Sequence, residues 1–369
     1  MEANKPIRFL PIEKSQFYTV LHARVDAYFA ESGLSKHANW QAIIKTVVLT
    51  AVYLLPFVSL LILQPGILGA MLLWLAMGVG MAGVGMSIMH DANHGAFSEN
   101  QRINDWLGYS LFLLGGSVLN WKLQHNNLHH NFTNIVHHDD DIADKPGLRL
   151  SPHTELKKIH RFQWFHAIFI YSLVTLYWVT AKDFYQYVRY TRTKVNKNTT
   201  IQNRWFLAKI IFLKVAYFFV LIGLPLIAGI PFWQTALGFL LMHATGGIIL
   251  TVIFQLAHSV EETVYPLPNE KGTVEMDWAI HQMRTTVNFS RNNKLLSWYI
   301  GGLNFQVEHH LFPKICHIHY PRIANIVKRT ASEFNVPYLE HRSFFHALRS
   351  HFYTLKRFGK VPPMDELMG

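Results

Sequence analysis

Long apolar stretches alternate with polar, histidine-rich segments along the chain. Residues 44–63 carry one charge, Lys45 at the edge, and residues 67–89 carry none, with only Gln64, Pro65 and Gly66 between the two runs. Each run approaches the roughly 20 apolar residues that a helix needs to cross a bilayer, so the pattern predicts a transmembrane hairpin. Residues 205–228 and 232–255, joined by Gly229-Ile230-Pro231, predict a second hairpin, with Lys209 and Lys214 near its first end. Both hairpin turns lack Lys and Arg, whereas the long segments around them hold essentially all the basic residues. The positive-inside rule therefore assigns those long segments to the cytoplasmic side.

Two further apolar runs complicate the count. Residues 106–119 are too short to span, and residues 164–181 are about long enough. If the latter spanned, the histidine clusters around 90–130 and around 309 would lie on opposite faces of the bilayer and could share no site. The segment is therefore expected to be interfacial or re-entrant, with Trp164, Tyr177 and Trp178 near its ends as anchors. Phe17, Val20, Leu21, Val25, Tyr28 and Phe29 recur at helical spacing and predict an amphipathic helix resting on the membrane or on the domain. The tail beyond Tyr320 repeats that pattern at Ile323, Ile326 and Val327, then at Phe344, Phe345, Leu348 and Phe352. The expected fold is all-α and integral to the membrane: four transmembrane helices in two hairpins, a cytoplasmic helical cap and additional interfacial helices. With no internal repeat or low-complexity linker, residues 1–369 read as one domain. It comprises an amphipathic segment (1–43), a hairpin (44–89), a polar region (90–204), a second hairpin (205–256) and a second polar region (257–369).

Composition narrows the chemistry. Half of the 369 residues are apolar and 15% are charged, which excludes a disordered chain. There are 22 His and a single Cys, Cys316, so neither an intrachain disulfide nor a cysteine-based zinc module is available. A net charge of +11 would suit nucleic acid, anionic lipid or an acidic protein. The hydropathy favours the last two, and no nucleic-acid partner is expected.

The histidines cluster. His90 and His94, four apart, share a helix face immediately beyond the second apolar run. His125, His129 and His130 form a second cluster, Gln306-Val307-Glu308-His309-His310 a third, and His258 follows the fourth run. These eight imidazoles are expected at one membrane boundary. Neutral imidazole is a common metal ligand, and eight exceed the roughly four that one zinc takes, so two metals are the economical inference. Imidazole suits Fe, Cu, Zn and Ni alike, so residue type leaves the metal open. His137 and His138 precede Asp139-Asp140-Asp141, carboxylates able to orient ligand imidazoles in a loop that reads equally well as solvated. His281, His317 and His319 are weaker candidates. His22, His37, His153, His160, His341, His346 and His351 read as surface residues, and His166 and His243 as packed within apolar runs.

At these residues the sequence resembles the integral-membrane fatty acid desaturases, whose three boxes His-x(3,4)-His, His-x(2,3)-His-His and [His/Gln]-x(2)-His-His occur here in order. The Gln306-opened third box, within Leu303-Asn304-Phe305 to Leu311-Phe312-Pro313, is similar to the front-end and linoleoyl-CoA branch. The similarity extends through Asn131-Phe132-Thr133-Asn134-Ile135 and Asp139-Asp140-Asp141-Ile142, and through Cys316-His317-Ile318-His319-Tyr320-Pro321. The resemblance implies two non-haem irons held by His90, His94, His125, His129, His130, His258, His309 and His310, O2 as co-substrate, and a cytoplasm-facing site. It also implies a narrow tunnel for a fatty acyl chain carried by CoA or lipid. Gln306 stands where other branches place a ninth His; a weak ligand, a partner for water and a pocket wall remain open roles. Many front-end members carry a fused cytochrome b5 domain with a His-Pro-Gly-Gly motif, and no His-Pro dipeptide occurs here. Electrons are then expected from a separate ferredoxin or cytochrome b5-type carrier. Arg189, Arg192, Lys194 and Lys197 offer it a basic docking surface, or equally a contact for lipid headgroups.

Desaturation fits the residues because an unactivated methylene has no acidic proton and no leaving group, whereas a redox metal with O2 can break its C–H bonds. Trp121, one helical turn before His125, is a candidate tunnel wall or an interface anchor. A hydroxylase or ketolase of the same histidine-rich class is the nearest alternative. A non-catalytic metal-binding or transport protein is more distant, since transport sites favour polar groups near the bilayer midplane.

Overall fold

The computed structural model describes residues 7–11, 15–143 and 147–361. Strand β1 (Arg8–Phe9) leads into helices α1 (Phe17–Ser32), α2 (Trp40–Leu63) and α3 (Ile67–His94). Short helix α4 (Gln101–Gly108) and helix α5 (Val118–Lys122) follow, α5 continuing through a π-helical turn, Leu123–His129, into His130–Phe132. Next come α6 (Lys158–Ser172), α7 (Val174–Arg192), α8 (Thr200–Ile227) and α9 (Phe232–His258). The remaining elements are β2 (Thr273–Val274), α10 (Trp278–Thr285), β3 (Asn288–Phe289), α11 (Lys294–Tyr299), α12 (Gln306–Leu311), α13 (Tyr320–Glu333), β4 (Glu340–His341) and α14 (Phe344–Phe358). The strands form two minimal parallel pairs, Arg8 with Thr273 and Asn288 with Glu340, which tie distant loops together.

Among the described residues, four helices are long and apolar enough to cross a membrane: α2, α3, α8 and α9. They match the two expected hairpins, with ends displaced by local chemistry. The Asn39 side chain accepts from the Gln41 and Ala42 amides and starts α2 before the apolar run begins. Thr199 and Gln202 cap α8 reciprocally in the same way. The run at 164–181 is not a straight span: α6 and α7 meet at 53°.

Helices α3 and α9 form the central seam. Trp74 lies over Gly238, Gly78 over Met242 and Met81 over Gly246, so numbers rise together and the two helices run parallel. A Cβ on Gly78 would come within 2.6 Å of the Met242 carbonyl, so only glycine permits this approach. Their C-terminal ends, which carry His90, His94 and His258, thus emerge at the same end of the bundle. The cap sits there. Phe17, Leu21, Val25 and Phe29 of α1 are buried at a spacing of four in a core shared with Ile323, Ala324 and Val327 of α13. The amphipathic N-terminal helix therefore rests on the protein.

The surface reading of three histidines needs correction. His160, His341 and His351 are buried rather than on the surface. For His351 the reason is plain: it lies between the Tyr171 hydroxyl and the Ser259 carbonyl, which belong to segments distant in sequence. Lys45, expected at a span edge, is buried with its Nζ 2.7 Å from His317 Nε2. His166 and His243 are packed and satisfied as expected, by the Gly147 carbonyl and by Thr175 and Tyr217.

Candidate metal centre

Box 1 ends helix α3 just after a π-helical turn, Gly85–Met89, and box 2 begins inside another, Leu123–His129. Such turns insert a residue into the helical register and re-aim the side chains that follow. Box 3 occupies α12, whose register is pinned from outside: Asn288 Oδ1 accepts from the Val307 amide. The Glu308 carboxyl between the box residues turns away from the histidines to accept from Asn288 and Tyr338, and burial pushes it up from the ordinary carboxyl value.

All eight sequence-predicted histidines come together, each buried. His90, His94, His125 and His309 offer one nitrogen each within 4.8 Å of one another, and so do His129, His258 and His310. His130 joins the groups: its ring stacks on His310 at 4.3 Å and lies 4.6 Å from His309. In the first group the Nε2 atoms of His90 and His125 approach to 3.1 Å.

Hydrogen bonds decide which nitrogen is free to bind. His129 Nδ1 lies 3.1 Å from both Asp139 carboxylate oxygens, His258 Nδ1 lies 3.2 Å from the Thr285 carbonyl, and His310 Nδ1 lies 2.8 Å from Gln282 Oε1. These partners only accept, so each imidazole carries its proton on Nδ1 and presents a lone pair on Nε2. His309 Nδ1 pairs with the Tyr320 hydroxyl at 3.1 Å. Nε2 of His94, His309 and His310 is buried with no hydrogen-bond partner, an arrangement that costs free energy unless something coordinates it. Burial foremost, then neighbouring imidazoles, pushes His125, His130, His309 and His310 well below the ordinary histidine value. They are neutral, as ligation requires. The donor set fits a pair of metals that accept imidazole.

Gln306 reaches into the second group. Its Nε2 is 3.0 Å from His258 Nε2, and its buried Oε1 has no hydrogen-bond partner. Trp121 is buried rather than interfacial, 4.4 Å from the His125 ring and 5.7 Å from His94. Trp121 also lines a small recess with Leu111, Gly116, Ser117, Trp178 and Asp183.

The profile of the fatty acid desaturase family matches residues 65–342. The chain belongs to the fatty acid desaturase family. This desaturase is an oxidoreductase of the membrane class, and its three histidine clusters lie within the matched residues. It is 37% identical to the sn-1 linoleoyl-lipid 6-desaturase of Synechocystis sp., over 95% of this chain and 97% of that relative. Identity to the enzyme of the same description from Arthrospira platensis is 34%, over 94% and 93% of the two chains. The acyl-lipid (8-3)-desaturase of Physcomitrium patens is 33% identical, over 96% of this chain and 74% of its own.

Sequence reasoning missed several residues around the site. Gln282, Thr285, Tyr320 and Asn288 act on the cage from other elements, and Asp91 from within box 1; only Tyr320, within the quoted similarity, and Asp91 carried any signal. The Asp139-Asp140-Asp141 run divides its work. Asp139 holds His129, while Asp140 accepts from Arg189 at 2.6 Å and from the Tyr190 hydroxyl. Arg189 is thus engaged internally, leaving Arg192, Lys194 and Lys197 as the exposed part of that basic segment.

Proposed function

We propose that residues 1–369 act as one O2-dependent di-iron desaturase unit that introduces a C=C double bond into the fatty acyl chain of a membrane lipid. Electrons come from a separate ferredoxin or cytochrome b5-type carrier, and the site faces the cytoplasm. The observation that carries this reading is the pair of adjoining groups of buried imidazoles in a chain of the desaturase family. A lipid-borne chain is preferred to a CoA ester because the relatives are described as acting on linoleoyl-lipid or acyl-lipid.

His90, His94, His125 and His309 would hold one iron, and His129, His258 and His310 the other, with His130 between them. The irons, when bound, supply with O2 the oxidising power to remove two hydrogens from neighbouring methylenes, which side chains alone lack. The chain's own residues keep the donor atoms in place. Asp139, Thr285 and Gln282 retain the Nδ1 protons of His129, His258 and His310 and so fix the three Nε2 atoms inward. Trp121 walls the cage with an apolar ring, excluding water and setting how closely an acyl chain approaches. Exposed Arg192, Lys194 and Lys197 offer an acidic carrier an electrostatic landing point.

The test is expression in a host of defined lipid composition, with lipid mass spectrometry and iron counting on the purified protein. Loss of two hydrogens from a lipid acyl chain and about two irons per chain are expected. Gain of one oxygen as the main product would assign a hydroxylase instead, and zinc without O2 consumption would assign a binding role.

A further inference from the structure

A second cluster of titratable side chains lies beside the histidine cage and has no part in the ligand set. Asp91, Cys316 and His317 are buried within 4.8 Å of one another, and the buried ammonium of Lys45 approaches them from helix α2. Both imidazole nitrogens of His317 are already engaged. Nδ1 lies 2.6 Å from Asp91 Oδ2, which also accepts from the His317 amide at 3.2 Å, and Nε2 lies 2.7 Å from Lys45 Nζ. This is an ion-pair line rather than a metal site.

Donor and acceptor roles along the line are fixed. A carboxylate only accepts, so His317 carries its proton on Nδ1 and donates it to Asp91; its Nε2 then accepts from the Lys45 ammonium. A neutral imidazole thus connects a buried cation to a buried anion. The other Asp91 oxygen, Oδ1, faces His90 Nδ1 at 3.9 Å, on the side of that ring opposite the cage. Among the described residues no other lysine or arginine pairs with Asp91, and a buried carboxylate without a cation would be costly.

We propose that Lys45, acting through His317 and Asp91, is a positioning residue that sets how much negative charge His90 feels and thereby tunes the reduction potential of the metal pair. The inference rests on the di-iron reading. A negative charge behind a ligand imidazole makes it a stronger donor and favours the oxidised metal. Lys45 offsets that charge from a transmembrane helix, so the first span takes part in the redox chemistry of the cap.

The experiment is a reductive titration of the full-length, iron-reconstituted protein in detergent, followed by Mössbauer spectroscopy, with iron counted per chain. Lys45→Met should retain its iron and shift to a lower midpoint potential, while Lys45→Arg should stay near wild type. Asp91→Asn should shift upward, and Lys45→Met with Asp91→Asn should return toward the starting value. If Lys45→Met does not fold, His317→Gln breaks the same line and should shift downward. An unchanged midpoint in iron-loaded Lys45→Met or His317→Gln overturns this inference and leaves the di-iron reading standing. Wild-type protein that takes up no iron overturns both.

Discussion

Asp139 holds His129 with both carboxylate oxygens at 3.1 Å from one ring nitrogen, and the Asn134 and Asp141 amides each donate to that carboxylate at 2.9 Å. The loop thus builds its own rigid bracket for a box 2 imidazole. Asp139→Asn keeps the shape but can donate where it should accept, so His129 loses the fixed proton on Nδ1. Iron affinity and turnover should fall by about 10–100-fold, whereas His129→Ala should abolish turnover with the helical content intact. Iron counting and product analysis on both variants check the order of severity.

Gln306 provides a second graded test. Its amide meets His258 at 3.0 Å from within α12, so truncation opens the second group of imidazoles without removing any of its three histidines. Gln306→Ala should keep close to two irons per chain and lose turnover by about 10–100-fold, the scale typical of groups that orient a metal site. A drop to one iron per chain would instead make Gln306 a required ligand. Metal analysis alongside product yield separates these outcomes.

His351 links the cap to the bundle, and burial lowers it to about 4. Its ordinary value is near 6.5, so the unfolded chain takes up this proton first as pH falls. The stability contributed by the neutral ring is therefore complete above pH ~6.5 and drains away between there and about 4, a loss on the order of 3 kcal/mol. Melting temperature measured from pH 7 to pH 5 should fall in the wild type. In His351→Gln it should start lower and fall less.

The features legible in the sequence were those written in local composition. Four apolar runs and three histidine clusters need only their own residues to be recognised, and both the spans and the gathering of eight imidazoles follow the expected plan. What escaped notice depends on partners far away in sequence. Lys45 meets His317 across 272 positions, and His351 meets Tyr171 across 180, so neither burial has a local signature. The π-helical turns at Gly85–Met89 and Leu123–His129 were equally silent, because an inserted residue leaves the residue types unchanged while rotating every side chain beyond it.

Lys214 carries the last prediction, since a charge inside an apolar helix calls for a partner. Its ammonium donates to the Gly115 carbonyl, to the Trp178 carbonyl at 2.7 Å and to Asp183 Oδ2 at 2.6 Å, so all three of its donors are used. Trp178 opens the π-helical turn Trp178–Lys182, where an irregular ladder exposes a carbonyl to such a donor. Asp183 in turn accepts from Asn120, the neighbour of Trp121. Lys214→Met strands the carboxylate and should cost roughly 3–5 kcal/mol. Lys214→Met with Asp183→Leu removes both charges and should recover part of that loss, giving a non-additive double-mutant cycle. Because Asp183→Leu also removes the side-chain oxygen to which Asn120 donates, leaving it only the Asp183 backbone carbonyl, turnover in the double variant should remain depressed even where stability returns. Thermal melting and product yield measured on the same preparations distinguish the two effects, and full recovery of activity with stability would show that the ion pair only holds the helices together.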